Sequence, residues 1–148
     1  MPALDANIEL AGVDTSMPVL ETNENLPVVI KDVDVASNKD KTGRNLVVKF
    51  ATLNEERSTK GDPVNAGYPL TKYFPLQQSK NDKAPDFRRD ICKLIDACFG
   101  TTQEDRPSLN SETIEALKGK ELLVSVKIRE ATDEFDAQNE IRSFKPLM

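Results

Sequence analysis

Residues 121–129 alternate between two kinds of side chain, and this alternation constrains the fold more than any other feature of the chain. The even positions are all apolar, whereas the odd positions include Ser125, Lys127 and Arg129. A period of two is typical of a β-strand that buries one face. We therefore predict a strand over residues 121–129 whose inward side chains are Leu122, Val124, Val126 and Ile128.

Four other segments have the composition of strands. Residues 26–35 are rich in β-branched side chains, residues 45–52 alternate so that Lys49 faces outward, and residues 139–145 follow as the last strand. Residues 68–76 are predicted as a shorter strand at a sheet edge, because Pro69 and Pro75 cannot donate hydrogen bonds to a neighbour. The polar, aperiodic stretch over residues 54–67 is predicted to be a long loop.

Two helices are predicted between the third and fourth of these strands. Over residues 87–98 the apolar positions recur at helical spacing, Asp86 precedes them as a cap, and Gly100 follows where a terminal glycine is expected. The shorter helix covers residues 110–118, with Leu109 and Leu117 as its core contacts. The apolar stripe of the longer helix is Phe87, Ile91, Leu94, Ile95 and Cys98.

The order of these elements, β-β-β-α-β-β, defines the predicted fold class. The OB-fold has this order: it is a five-stranded Greek-key barrel with its helix between strands three and four. We therefore predict a mainly β chain with an OB-fold-like five-stranded barrel over residues 26–148. The long helix is then expected to plug one end of the barrel, because its outward charges are mixed in sign.

The N-terminal residues 1–25 differ from the rest in charge. They contain five acidic residues and no Lys or Arg, which leaves 20 acidic against 20 basic residues in the remainder. The formal net charge of -5 therefore belongs to this segment. We predict an acidic N-terminal arm over residues 1–25, joined to a neutral domain that can still carry a basic face.

The residue types that are missing argue against several kinds of chemistry. The chain has no His and no Trp, so imidazole-based catalysis and the usual zinc sites are not expected. The acidic pairs fall in predicted loops, which makes a nuclease with a carboxylate-held metal the weakest alternative. We predict a protein that is not an enzyme and that uses no cofactor and no metal.

The two cysteines and the N-terminus indicate a compartment. Cys92 and Cys98 are six residues apart, about 240° around a helix axis, so no disulfide between them is expected. No apolar run reaches the roughly 20 residues that span a bilayer, and residues 1–5 lack the features of a signal peptide. The prediction is a cytoplasmic protein that does not enter membranes.

Basic and aromatic side chains on outward strand surfaces form the predicted binding site. Single-stranded nucleic acid requires cations for its phosphates and flat rings for its bases. In an OB barrel the loops between strands 1 and 2 and between strands 4 and 5 flank this face; the first is basic here and the second is acidic. Tyr68 and Phe135 are further stacking candidates. The predicted residues are Lys39, Lys41, Arg44, Lys49, Lys72, Tyr73, Lys127, Arg129 and Arg142.

The same pattern also fits ordinary exposed strand residues that protect edges and keep a protein soluble. Four short features bear on this choice: Gly67 before a strand, Phe87 at a helix start, Gly119-Lys120 opening a strand, and the closing Phe144-Lys145-Pro146. Over residues 43–147 this pattern resembles a family of small phage-encoded proteins that are similar to single-stranded-DNA-binding proteins. The resemblance implies an OB-like core and a role in phage replication or recombination within the host cytoplasm.

One departure from that family concerns the C-terminus. Many phage single-strand binders end in an acidic tail that recruits replication partners, whereas residues 143–148 here contain no acid.

Two functions from different classes remain as hypotheses. The first is non-enzymatic binding of single-stranded DNA, with replication or recombination proteins as further partners. The second is a structural or interaction protein, such as a virion component or an adaptor, that docks through residues 1–25. The sequence leaves open whether the chain forms a homo-oligomer.

Overall fold

The structure is a computed structural model of the 148-residue chain, and it describes residues 7–12, 18–37, 43–78, 83, 85–132 and 137–147. Most of the regular structure in these residues is β-strand. The strands are β1 (Asn23–Ser37), β2 (Arg44–Thr52), β3 (Glu56–Arg57), β4 (Pro63–Val64), β5 (Pro69–Pro75), β6 (Glu121–Arg129) and β7 (Gln138–Pro146), and the helices are α1 (Arg88–Phe99) and α2 (Ser111–Leu117).

Five strands form one antiparallel sheet in the order β5-β2-β1-β6-β7. The long central strand β1 pairs with β6 through its first half and with β2 through its second half. A register shift between Ile30 and Asp32 interrupts the pairing with β2, and such a bulge bends a strand. The order β6-β1-β2-β5 is that of a Greek key, because the fourth strand returns beside the first. The predicted mainly β class and the edge position of β5 are confirmed.

The predicted barrel is corrected to an open sheet. Among the described residues no hydrogen-bonded ladder joins the two edge strands, β5 and β7. Just beyond β5, the Leu76 amide donates to the Arg44 carbonyl, so by alternation the odd residues of β5 direct their backbone groups away from β2. Two of these odd residues are Pro69 and Pro75, which have no N–H to donate. A full ladder along this edge therefore cannot form.

The hydrophobic core lies between one face of the sheet and α1. Val28, Leu46 and Val124 on the central strands are fully buried, and α1 packs against β6 and β7. In α1 the predicted stripe is confirmed, because Ile91, Leu94 and Ile95 are buried while Phe87 and Cys98 are half-buried. Burying one such aliphatic side chain stabilises the fold by about 1.5–3 kcal/mol. This burial stabilises the packing of α1 against the sheet.

The two helices begin and end close to the predicted positions. The N-cap residue of α1 is Phe87 and not the predicted Asp86, although the Asp86 carboxylate accepts a hydrogen bond from the Arg88 amide at 3.0 Å. Gly100 ends α1 at a φ of 68°. Asn110 caps α2 by accepting a hydrogen bond from the Thr113 amide at 2.9 Å. The prediction that Leu109 is a core contact is wrong: it is 36% exposed, and Thr113 is buried instead. Neither described helix is long and apolar enough to cross a membrane.

The predicted loop over residues 54–67 contains a small hairpin, and part of the N-terminal segment packs beside it. The hairpin is formed by β3 and β4, with Val64 in the core. We call residues 18–22 the strap. The Glu21 amide donates to the Arg57 carbonyl and the Thr59 amide donates to the Val19 carbonyl, so the strap runs beside β3 as a further extended segment.

The strap is held from its other side by two distant side chains. Leu20 is 1% exposed in the core, and its amide and carbonyl both bond to the Asn139 side chain at 2.9 Å. The Tyr68 hydroxyl donates to the Pro18 carbonyl. The packed body therefore starts by residue 18, ahead of residue 26, where the sequence predicts the domain to start.

Candidate functional site

The outward surface of β2 and β5 carries the most exposed aromatic ring among the described residues. Tyr73 is 62% exposed and lies directly opposite Val47, while Lys49 lies opposite Thr71. Val47 faces outward yet is only 9% exposed, so it forms an apolar floor next to the ring. We call this surface the β2–β5 face. The Tyr73 ring and the Lys49 ammonium belong to neighbouring rows of the ladder, about 7 Å apart along the strands.

Two carboxylates of β1 border this face. Asp32 lies opposite Lys49, and Asp34 lies opposite Val47. Asp32 also approaches Lys118, with 3.7 Å between its Oδ1 and the lysine Nζ. The sequence does not reveal these neighbours, because the bulge after Ile30 determines which residues of β1 stand opposite β2. The face is therefore mixed in charge and not a continuous basic track.

Three other predicted cations lie on the other outer ladder, between β6 and β7. Lys127 is exposed opposite Glu140, and Arg129 is exposed opposite Gln138. Arg142 is the extra residue at a register shift in β7, and its guanidinium lies 3.2 Å from Glu140. We call Lys127, Arg129 and Arg142 the β6–β7 group. Glu140 is a carboxylate within reach of these cations, so this group too is mixed with negative charge.

Lys72 does not lie on the outward surface where the sequence predicts it. It shares the inward side of β5 with Leu70 and Phe74 and is half-buried. Its Nζ donates to the Ile141 carbonyl on β7 at 3.2 Å and lies 5.7 Å from the centre of the Phe74 ring. Successive side chains of a strand point to opposite faces, so residues 70, 72 and 74 lie on the same, inward face.

The other predicted binding residues have different outcomes. Arg44 is exposed at the start of β2, where its amide is held by Gln77 Oε1 at 2.9 Å. Tyr68 is half-buried and used by the strap, and burial raises its pKa; it is therefore not an open stacking platform. Lys39, Lys41 and Phe135 lie outside the described residues.

A separate polar cluster follows the end of α1. The Arg106 guanidinium donates to both carboxylate oxygens of Asp96, at 2.9 and 2.6 Å, and the Thr101 hydroxyl donates to the same carboxylate at 2.7 Å. The hydrogen bonds from Arg106, and to a smaller extent that from Thr101, lower the pKa of Asp96. The same pairing raises the pKa of Arg106. The cluster ties the loop after α1 to the helix.

Cysteine thiols and clustered carboxylates are further groups that could support chemistry. Burial raises the pKa of the Cys98 thiol to about 12, so it is a poor nucleophile. Within the described ranges, no three Cys, Asp or Glu side chains are grouped to hold a metal ion. Comparison with protein-family models and with curated proteins finds no match.

Proposed function

We propose that this chain is a non-enzymatic single-stranded-DNA-binding protein that binds its ligand on the β2–β5 face. The observation that carries the proposal is Tyr73, whose ring is 62% exposed on a strand surface beside Lys49. A base can stack on such a ring while the neighbouring ammonium attracts a phosphate. Because stacking and charge attraction do not read base edges, binding is expected to tolerate any sequence.

The strand order supports an OB-like core as part of the proposal. The OB-fold is a partly open Greek-key barrel, and the sheet here combines a Greek-key order with an open side between β5 and β7. Both helices lie between the third and fourth strands of the sheet in chain order. OB-folds bind oligonucleotides on the face of strands two and three, which correspond to β2 and β5.

The biological setting rests on the sequence resemblance. The motifs over residues 43–147 are similar to those of phage single-strand binders, so we place the protein in phage replication or recombination in the host cytoplasm. Other replication or recombination proteins are the further partners in that setting.

The mixed charge of the surface limits the expected affinity. Asp32, Asp34 and Glu140 each lie opposite or beside an outward residue of the two outer ladders. Each carboxylate repels a phosphate that approaches the cations of these ladders. We therefore expect micromolar binding at low salt, with a steep loss as salt rises and screens the remaining attraction.

The test is a titration of a fluorescent oligo-dT with the full chain at several salt concentrations. Binding at low salt that weakens linearly on a log–log plot supports the proposal. A chain that shows no binding to oligo-dT at the lowest salt would sink it.

Substitution of Tyr73 locates the site. Tyr73→Ala is expected to weaken binding by about 1–3 kcal/mol, the contribution of one stacked base. Tyr73→Phe keeps the ring and is the matched control, with affinity close to wild type. Equal affinities for Tyr73→Ala and wild type would place the ligand elsewhere.

The second candidate function is an interaction protein that docks through its N-terminal arm. Ile8 and Leu10, ahead of the strap, are 62% and 76% exposed with Glu9 between them. Exposed apolar side chains in an acidic segment suit a protein partner with a basic-rimmed groove. Failure of the oligo-dT titration, together with a contact in which residues 1–25 pack against another chain and the β2–β5 face is buried, would favour this function.

A further inference from the structure

The open side of the sheet is crossed by a small set of side-chain contacts. On the inward side, Phe144 of β7 lies 5.9 Å from Phe74 and 6.4 Å from Phe50, measured between ring centres. Beside these rings, the Lys72 Nζ donates to the Ile141 carbonyl at 3.2 Å. Among the described residues this bond is the polar link between β5 and β7, in place of the ladder that the prolines of β5 prevent.

The position of this bond relates it to both groups of outward cations. On β5, Lys72 immediately precedes Tyr73 of the β2–β5 face. On β7, Ile141 immediately precedes Arg142 of the β6–β7 group, and it pairs with Val126, the neighbour of Lys127. The hydrogen-bonded route between the two groups otherwise runs through β2, β1 and β6. The bond from Lys72 to the Ile141 carbonyl connects the β2–β5 face and the β6–β7 group directly.

We propose that Lys72 is a positioning residue that clasps β5 to β7 and so holds the β2–β5 face and the β6–β7 group together as one binding surface. It does this from the inward side, where its ammonium bonds a backbone carbonyl and lies near the Phe74 ring. A phosphate on the outward surface is therefore bound by Lys49, Lys127 or Arg142 and not by Lys72. The part of this inference that concerns DNA rests on the proposed function.

The first experiment tests the clasp in the free protein, without DNA. Amide hydrogen exchange is compared for wild type, Lys72→Met, Lys72→Arg and Lys49→Met. Met keeps the apolar stem but not the donor, Arg keeps a donor, and Lys49→Met removes the same charge from the neighbouring strand. We expect exchange in β5 and β7 to be about fivefold faster in Lys72→Met, the factor for one lost hydrogen bond, with β1 unchanged.

The controls make this result decisive. Lys72→Arg and Lys49→Met are both expected to exchange like wild type. Unchanged exchange in Lys72→Met, or equal acceleration in Lys49→Met, overturns the clasp. Circular dichroism on each variant establishes that the comparison is made between folded proteins.

The second experiment asks whether the clasp joins the two groups for binding. Oligo-dT affinity is measured for Lys72→Met, Arg142→Ala and the double variant. If Lys72 positions Arg142, the loss caused by Arg142→Ala is at least about threefold smaller in the Lys72→Met background. Additive losses mean that Lys72 acts independently and overturn this part. If wild type binds no oligo-dT, the proposed function fails, while hydrogen exchange still decides the clasp.

Discussion

Two segments cover the core in different ways, and the contrast between them explains what each needs in order to be stable. Helix α1 contributes Leu94 and the strap contributes Leu20, and both leucines are at most 1% exposed. The helix bonds its own backbone internally. The strap has no internal bonds, so Arg57, Thr59 and Asn139 supply its partners.

The difference lies in how far along the chain those partners are. Asn139 is 119 residues from Leu20, and Tyr68 is 50 residues from Pro18. The bonds of the strap therefore require β7 and the hairpin to be in place, whereas the backbone bonds of α1 are local. We expect the strap to be the weaker of the two covers, and substitutions in both segments test this expectation.

The largest effect is expected for leucine-to-alanine substitutions in the two covers. Leu94→Ala should destabilise the fold by about 3 kcal/mol, because it leaves a cavity under a rigid helix. Leu20→Ala should cost about 2 kcal/mol, because the strap can shift to fill the space. Urea unfolding measures both, and the exposed Leu109→Ala is the control, expected within about 0.5 kcal/mol of wild type. A larger cost for Leu20→Ala than for Leu94→Ala would reverse the comparison.

A smaller effect is expected when the strap keeps its leucine but loses its side-chain partner. Asn139→Ala leaves the amide and the carbonyl of Leu20 without partners, which should cost about 1–3 kcal/mol. Asn139→Asp keeps an acceptor for the Leu20 amide but sets a carboxylate oxygen against the Leu20 carbonyl, so a comparable loss is expected. The measurement is again urea unfolding. Identical stabilities for Asn139→Ala and wild type would show that water replaces the side chain at no cost.

The smallest effect is expected at the end of α1, where Asp96 bonds Arg106. Because the pKa of Asp96 is lowered in the folded state, its stabilisation is present above the ordinary value of 3.8 and is lost as pH falls through the folded pKa. Asp96→Asn should therefore be less stable than wild type at pH 7, and the difference should shrink below about pH 4. Urea unfolding at pH 7, 5 and 3 checks this, with Asp90→Asn as the exposed control on the same helix. A difference that is constant with pH would contradict the assignment.

The regular elements were predictable because their signals are local. The alternation over residues 121–129 gave the bounds of β6, and helical spacing gave α1 to within one residue at each end. The strap carries no such period, since Pro18, Val19 and Leu20 are followed at once by polar residues. Its burial depends on Asn139, a contact that no short window of sequence contains.

The candidate site was predictable in part for the same reason. Alternation placed Lys49 and Tyr73 outward, and the structure agrees. The same rule, applied to Leu70 and Phe74, places Lys72 on the inward side, so the sequence does carry the signal for its position. Asp32 and Asp34 could not be placed opposite β2 from sequence, because their register depends on the bulge after Ile30.

The prolines of β5 have a consequence for the behaviour of the protein at high concentration. An unpaired strand edge is a template on which a second molecule can add its own strand and begin an aggregate. On the free edge of β5, Pro69 and Pro75 have no N–H group. Only Thr71 and Tyr73 therefore have N–H groups directed away from β2 along this edge. Replacing both prolines with residues that have an N–H would complete that row of donors and should promote fibril-like association.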